Sequence, residues 1–304
     1  VTGGAPDGPG TPVAGAGAPG RGGSFGRRLA AAVAARGPLC AGIDPHPALL
    51  EAWGLPVDAG GLERFALAAT EVLAAEAAVV KPQSAFFEAH GAAGIAVLER
   101  VLAHARQAGA LVLLDVKRGD IGSTMAAYTA AYLADGAPLA ADAVTLSPYL
   151  GVEALAPALD AAEREGRGVF LLARTSNPEA DRVQRARLPD GRTLARSVVD
   201  AAARRNAGAT PLGGVGVVVG ATIAAAEVAG PDGLDLGALN GPVLAPGFGA
   251  QGATVSDLRR VFGPVLPAVL PASSRDILRH GPDPAALAAA VRRTRDALAE
   301  LVTG

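Results

Sequence analysis

The sequence predicts a single (β/α)8 barrel over residues 24–304, preceded by a tail over residues 1–23. Three observations carry this. Eight short apolar runs alternate with stretches of helical periodicity, the pattern of a parallel sheet whose faces are covered by helices. Polar and ionisable residues collect where those runs end, at Asp44, Lys81, Asp115, Lys117, Ser147, Ser176 and Thr222. In a barrel those ends form one rim, where active sites sit. No Gly-x-Gly-x-x-Gly follows the first run, which disfavours the open doubly wound sheet that the same alternation could build.

Taken in order, residues 1–23 are mostly Gly, Pro, Ala and Thr and bury almost nothing, so a disordered tail is expected. Phe25, Leu29 and Val33 then lie one helical turn apart and read as a short helix packed under the domain. Residues 38–43 form the first strand, ending at Asp44 and the breaker Pro45-His46-Pro47. Leu62, Phe65, Ala69, Val72 and Leu73 share one face of a helix over 62–77. A second strand enters at Val79-Val80 and ends at Lys81-Pro82. Ile95, Leu98, Val101 and Leu102 space a helix over 95–108, stopped by Gly109. The third strand covers 111–114 and runs into Asp115-Val116-Lys117, and Ser123 or Thr124 can cap a helix over 125–134. Further strands are expected at 143–146, 168–173, 215–219, 242–245 and 265–270. Helices are expected over 153–164, 194–206, to Val228 after Thr222, and over 284–302. Residues 181–192 are charged and without period, an excursion between strand five and the next helix.

Composition narrows the class. Half of the 304 residues are apolar and the formal charge is −2, so there is no field for nucleic acid or an anionic membrane. No apolar run approaches the roughly 18 residues of a membrane helix. Arg36 cuts short the one stretch, 29–35, that could pass for a signal peptide. The single cysteine, Cys40, lies in an apolar strand as core packing and cannot form an internal disulfide, which fits a reducing compartment. The expected location is the cytoplasm. His46, His90, His104 and His280 show no ligand spacing and read as surface or core residues, and no metal site is expected.

The chemistry gathers in Asp115-Val-Lys117-Arg-Gly-Asp120-Ile121-Gly-Ser-Thr124. Alternation along the strand puts Asp115 and Lys117 on one face and Val116 on the other. A lone Asp-x-Lys at a strand end reads first as an ion pair closing a sheet. The alternating charge of Asp-x-Lys-x-x-Asp and a count point further. Of 27 basic residues only two, Lys81 and Lys117, are lysines, and both end apolar strands. Arginine does not give up its proton, and its flat fork does not replace a compact ammonium.

These residues resemble the signature of the orotidine 5′-phosphate decarboxylase family. The resemblance continues through Gly42-Ile-Asp44-Pro, Val80-Lys81-Pro, Ala245-Pro-Gly-Phe-Gly249-Ala-Gln251-Gly and Arg275, in the family's order from about Phe25 onward. Thr175-Ser176-Asn-Pro178 and the excursion are similar to its larger bacterial subgroup. The resemblance implies decarboxylation of orotidine 5′-phosphate to uridine 5′-monophosphate, the last step of de novo pyrimidine nucleotide synthesis, with no metal and no organic cofactor. It implies that Lys117 stabilises and protonates a ring carbanion while Asp115 and Asp120 fix and aim its ammonium. Lys81 completes the charge array with Asp44, and the two hold ribose hydroxyls. Ser176 would bond the base, and Gly249, Gln251 and Arg275 would hold phosphate. It also implies a homodimer in which Asp120, Ile121 and Thr124 reach the partner's site. Without the resemblance, Asp44 is equally a cap before Pro45, Ser176 a turn residue, and the Gly-rich loop ordinary turn chemistry. Two alternatives share the motif: a magnesium-dependent barrel acting on a ketose phosphate, and a catalytically silent phosphosugar-binding barrel.

Overall fold

The computed structural model describes residues 23–230, 233–249 and 252–299. The expected tail, apart from Gly23, therefore lies outside the described residues, as do Gln251 and the last residues of the expected final helix. Eight parallel strands close in sequence order: β1 (Cys40–Ile43), β2 (Val79–Pro82), β3 (Leu111–Arg118), β4 (Ala143–Leu146), β5 (Gly168–Arg174), β6 (Val215–Val219), β7 (Val243–Pro246) and β8 (Val269–Ser273), with β8 pairing back to β1. Helices α1 (Phe25–Arg36), α2 (Pro47–Ala52), α3 (Ala59–Glu76), α4 (Ser84–Glu88) and α5 (Gly91–Gln107) accompany the first strands. Then follow α6 (Gly122–Leu133), α7 (Ala156–Arg164), α8 (Asp181–Gln184), α9 (Leu194–Arg205), α10 (Ala226–Ala229), α11 (Val255–Phe262), α12 (Arg275–Leu278) and α13 (Pro284–Ala299).

The alternation read from the sequence sorts the core into two layers. Outward residues such as Ala41, Val80, Val112, Leu114, Val144 and Val169 join the helix layer in one large cluster. Inward residues, among them Cys40, Val79, Leu113, Ala143, Phe170, Val218, Leu244 and Leu270, fill the barrel together with Phe25 and Leu29 of α1. The first helix thus packs under the domain as expected. Ser24 caps it, accepting from Arg27 N–H, and Phe25 meets Phe170 edge-on at 6.1 Å between centroids. Each of these two buried side chains is worth roughly 1.5–3 kcal/mol against exposure. Arg28 bonds Asp142 at 2.7 Å, and Asp142 in turn accepts the Val112 N–H. Gly216 makes room for Phe170, because a Cβ there would stand 2.6 Å from the ring.

Some boundaries move. The expected strand at 265–270 begins only at Val269; residues Gly263–Ala268 form a 3-10 turn, since Pro264 and Pro267 remove two ladder donors. The helix expected to start at Met125 begins at Gly122 with Ile121 as N-cap and no side-chain cap bond, so Ser123 and Thr124 are in its first turn rather than its cap. After Thr222 only the single turn of α10 forms. The excursion is pinned rather than loose: Arg174 binds Asp181 at 2.5 Å and Glu227 at 2.6 Å, and Thr175 N–H donates to Gln184 at 2.8 Å.

Candidate active site

The strand ends converge as the sequence implies. β2 lies between β1 and β3, with Gly42 opposite Lys81 and Val79 opposite Leu111. Two residues beyond their last inward apolar neighbours, Lys81 and Asp115 turn toward the barrel axis. Lys81 is 7% exposed and Asp115 5%. Two charges so deeply placed are costly unless each is met by partners, and here they are. Asp115 Oδ1 accepts from Lys117 Nζ at 2.6 Å and Thr145 Oγ1 at 2.7 Å. Its Oδ2 accepts from Gln83 Nε2 at 2.9 Å and Lys81 Nζ at 3.2 Å. Each oxygen thus holds one ammonium and one neutral donor. Lys81 Nζ also stands 3.9 Å from Asp44 Oδ1, so charge alternates Asp44, Lys81, Asp115, Lys117 across three neighbouring strand ends.

The array sets its own ionisation. Burial works to raise the Asp115 carboxyl, but the Lys81 and Lys117 ammonium groups hold it well below the usual carboxylate range. Burial works to deprotonate Lys81, yet Asp115 and Asp44 hold its proton above the ordinary lysine range. Beneath them burial pushes the Cys40 thiol up to about 12, so it stays neutral.

Asp115 and Lys117 do share a side, with Val116 in the outer layer, but not on a regular strand. Pairing slips between Leu114 and Arg118: Leu114 faces Val144 and Arg118 faces Leu146, so four residues of β3 run past two of β4. Lys117 sits at φ +46°, one of three described non-glycine residues with positive φ. This turns its side chain back onto Asp115 and leaves it 45% exposed to the mouth.

Of the other expected residues, Asp44 and Arg275 line a cavity that Lys81 also borders. A cavity of about 320 Å³ is lined by Asp44, Lys81, Gly247, Phe248, Ser274 and Arg275, among others. Asp44 Oδ1 and the hydroxyls of Ser273 and Ser274 are buried there with no hydrogen-bond partner among the described residues. Arg275 opens α12 and is exposed. Gly249 has φ +77°, and a Cβ would meet the Asp276 carboxylate at 2.1 Å, so only glycine fits. Ser176 is exposed just past β5. Asp120 does not reach Lys117: its Oδ1 accepts the N–H of Ile121 at 2.8 Å. Ile121 is 61% exposed, and Thr124 is exposed beside it.

Three residues of the site escaped the sequence reading. Gln83 lies two beyond Lys81, and strand period alone would have put it on the same face. Thr145 is the one polar residue in an otherwise apolar four-residue strand, a signal that was available. His46 lines the cavity with its ring 4.2 Å from that of Phe86, although no spacing marked it.

The orotidine 5′-phosphate decarboxylase / HUMPS family model matches residues 37–291. A Salinispora arenicola orotidine 5′-phosphate decarboxylase is 63% identical over 270 residues, 89% of this chain and 95% of that protein. A Nocardioides relative of the same name is 57% identical over 277 residues, 90% of this chain and 98% of that one. The crystal structure of a Streptomyces avermitilis protein described as an orotidine 5′-phosphate decarboxylase superposes with a TM-score of 0.88 at 51% identity, covering 93% of this chain and 97% of the other. The chain belongs to the orotidine 5′-phosphate decarboxylase family, and it is a carboxy-lyase that decarboxylates orotidine 5′-phosphate.

Proposed function

We propose that the rim performs this reaction through Lys117, seated by Asp115, in a site that a second copy of the chain completes. Decarboxylation breaks the bond between a pyrimidine ring carbon and its carboxylate. The electron pair stays on that carbon, which has no attached electron sink, and carbon dioxide leaves. The Lys117 ammonium stands where the charge grows and then transfers a proton to the carbon; water replaces it. A substrate carboxylate within ~4 Å of Asp115 is repelled by about 4 kcal/mol at an effective dielectric near 20, a strain relieved as carbon dioxide departs. These steps call on no metal or organic cofactor. The observation that carries the reading is the seat of Asp115, each oxygen shared between one ammonium and one neutral donor. Incubation with orotidine 5′-phosphate, following loss of orotate absorbance, tests it; no turnover by folded protein refutes it.

Asp44 and Lys81 take the ribose hydroxyls, Ser176 the base, and Gly249, Gln251 and Arg275 the phosphate. Asp44 Oδ1, which makes no hydrogen bond among the described residues, and the Ser273 and Ser274 hydroxyls beside Arg275 support a polar occupant. For the homodimer, the support is that, among the described residues, Asp120 bonds its own neighbour Ile121 and not Lys117, while Ile121, Tyr149 and Leu150 stand 61%, 77% and 52% exposed. A two-fold pairing would bury these and carry Asp120, Ile121 and Thr124 to the partner's Lys117. Mixing Asp120→Ala with Lys117→Ala protein, each inactive alone, under conditions that exchange subunits, then restores roughly a quarter of wild-type activity. Half the dimers are mixed, each with one intact site of two. No recovery despite exchange assigns Asp120 to its own chain's site. A cytoplasmic location fits the free, buried Cys40; no helix among the described residues is long and apolar enough to cross a membrane.

A further inference from the structure

The bulge in β3 poses a local problem that β4 answers. In a regular parallel ladder the position after the Leu114–Val144 pair would put Asp115 opposite Thr145. Instead β3 carries two extra residues before pairing resumes at Arg118 and Leu146, and Ser147 N–H then closes on the Arg118 carbonyl at 2.7 Å. The slip takes the Lys117 N–H out of the ladder. It is not left unpaired, because Thr145 Oγ1 accepts it at 3.0 Å. The same hydroxyl donates to Asp115 Oδ1 at 2.7 Å.

A threonine hydroxyl has one proton and two lone pairs. An ionised carboxylate only accepts, so the proton points to Asp115 and a lone pair faces the amide. Both bonds are therefore made with no alternative arrangement, in a side chain 1% exposed. They clamp the two ends of the tripeptide Asp115-Val116-Lys117, fixing the carboxylate at one end and a backbone held at φ +46° at the other. Such a conformation persists only where the surroundings over-determine it.

We propose that Thr145 is a positioning residue for the decarboxylation. Its hydroxyl holds the β3 bulge that turns Lys117 Nζ onto Asp115, and so fixes the proton donor relative to the reacting carbon. This rests on the reading of Lys117 as the group that meets the ring carbon. Thr145 touches no substrate in this account; it acts through Lys117 and Asp115. Removing the hydroxyl frees both ends of the tripeptide, and a proton donor displaced by about 1 Å costs on the order of 100-fold in rate.

Thr145→Val keeps the shape and removes the hydroxyl; Thr145→Ala removes it with room for a water; Thr145→Ser retains it. Val144→Ala, on the same strand but in the outer layer, is the control for general loosening of β4. The expected result is a kcat lower by about 100-fold in the valine and alanine variants, with KM for orotidine 5′-phosphate within about threefold of wild type. The serine variant returns kcat to within about tenfold, and Val144→Ala lowers Tm without lowering kcat. Thr145→Ala carries the test if the valine variant does not fold. A kcat within about threefold of wild type in the hydroxyl-free variant, or a rise in KM matching the fall in kcat, overturns the proposal. So does an equal kcat loss in Val144→Ala. Lys117→Ala assayed alongside separates the two claims: if it keeps activity the reading of Lys117 fails, whereas if it is inactive while Thr145→Ala is not, only the role of Thr145 fails.

Discussion

Asp115→Asn removes one charge and almost no volume, so its consequences follow from the four bonds that the carboxylate accepts. At an effective dielectric near 20 the attraction to Lys117 Nζ, 2.6 Å away, is about 6 kcal/mol, and that to Lys81 Nζ, 3.2 Å away, about 5 kcal/mol. Neither figure is a net stability, because burying the ions has its own cost and Lys117 is half exposed. Breaking a buried pair leaves the other charge stranded, at ~3–5 kcal/mol, and Lys81 keeps only Asp44 at 3.9 Å. The lower bound, about 3 kcal/mol, lowers Tm by roughly 6 °C in a domain of this size. An amide also presents one donor face to two ammonium groups, so Lys117 swings away. Loss of one pre-aimed charge costs roughly 100- to 1000-fold in kcat. The pH dependence has a definite sign. The folded carboxyl titrates below its unfolded value, so its contribution is complete above the ordinary value near 3.9 and is lost as pH falls below it. Wild type therefore loses its stability margin over Asp115→Asn as the solution is acidified from pH 5 toward pH 2. The assays are orotate absorbance for kcat and urea unfolding at several pH values. A folded Asp115→Asn protein with kcat within tenfold of wild type refutes the reasoning.

Lys117→Arg keeps the charge yet loses turnover by at least about 100-fold, because a guanidinium does not protonate carbon at neutral pH; comparable kcat in the folded variant contradicts this. Arg275→Ala lowers kcat/KM while the chemical step survives, since phosphate is remote from the ring and its binding energy is used at a distance; an unchanged kcat/KM removes Arg275 from the phosphate site. At alkaline pH the buried Cys40 thiol, raised from 9.0 to about 12, stays protonated in the fold while the unfolded chain ionises. Stability is full below pH 9 and falls by about 1.4 kcal/mol per pH unit above it. Cys40→Ala unfolding curves taken from pH 9 to 11 show that slope reduced; identical slopes place the thiol in contact with water.

What was legible in the sequence was whatever depends on period and on strand ends. Asp44, Lys81, Asp115 and Lys117 each follow an outward apolar residue, Ile43, Val80, Leu114 and Val116, so their side chains face inward and closure of the sheet brings them together whatever the loops do. The eighth strand was displaced because Val265 and Leu266 look like strand residues, while the two prolines around them forbid the ladder. Thr145 stands out as the lone polar residue of its strand, but its role exists only through a slip in pairing, and pairing between strands is not written in either strand alone. Asp120 was assigned by resemblance to a partner's site, and within its own chain it accepts the Ile121 N–H and does not reach Lys117.

The helix that seals the bottom of the barrel also sets an order of events during synthesis. α1 is the first described element, yet its anchors come late: Arg28 waits for Asp142, 114 residues on, and for the Gly166 carbonyl, 138 residues on. Its Phe25 waits for Phe170. At ribosomal speeds of ~5–20 residues per second, the amphipathic helix spends several seconds with Phe25 and Leu29 unburied before β4 and β5 exist to receive them. A helix made early thus waits for two later strands, and the nascent chain carries an open apolar face until β5 emerges.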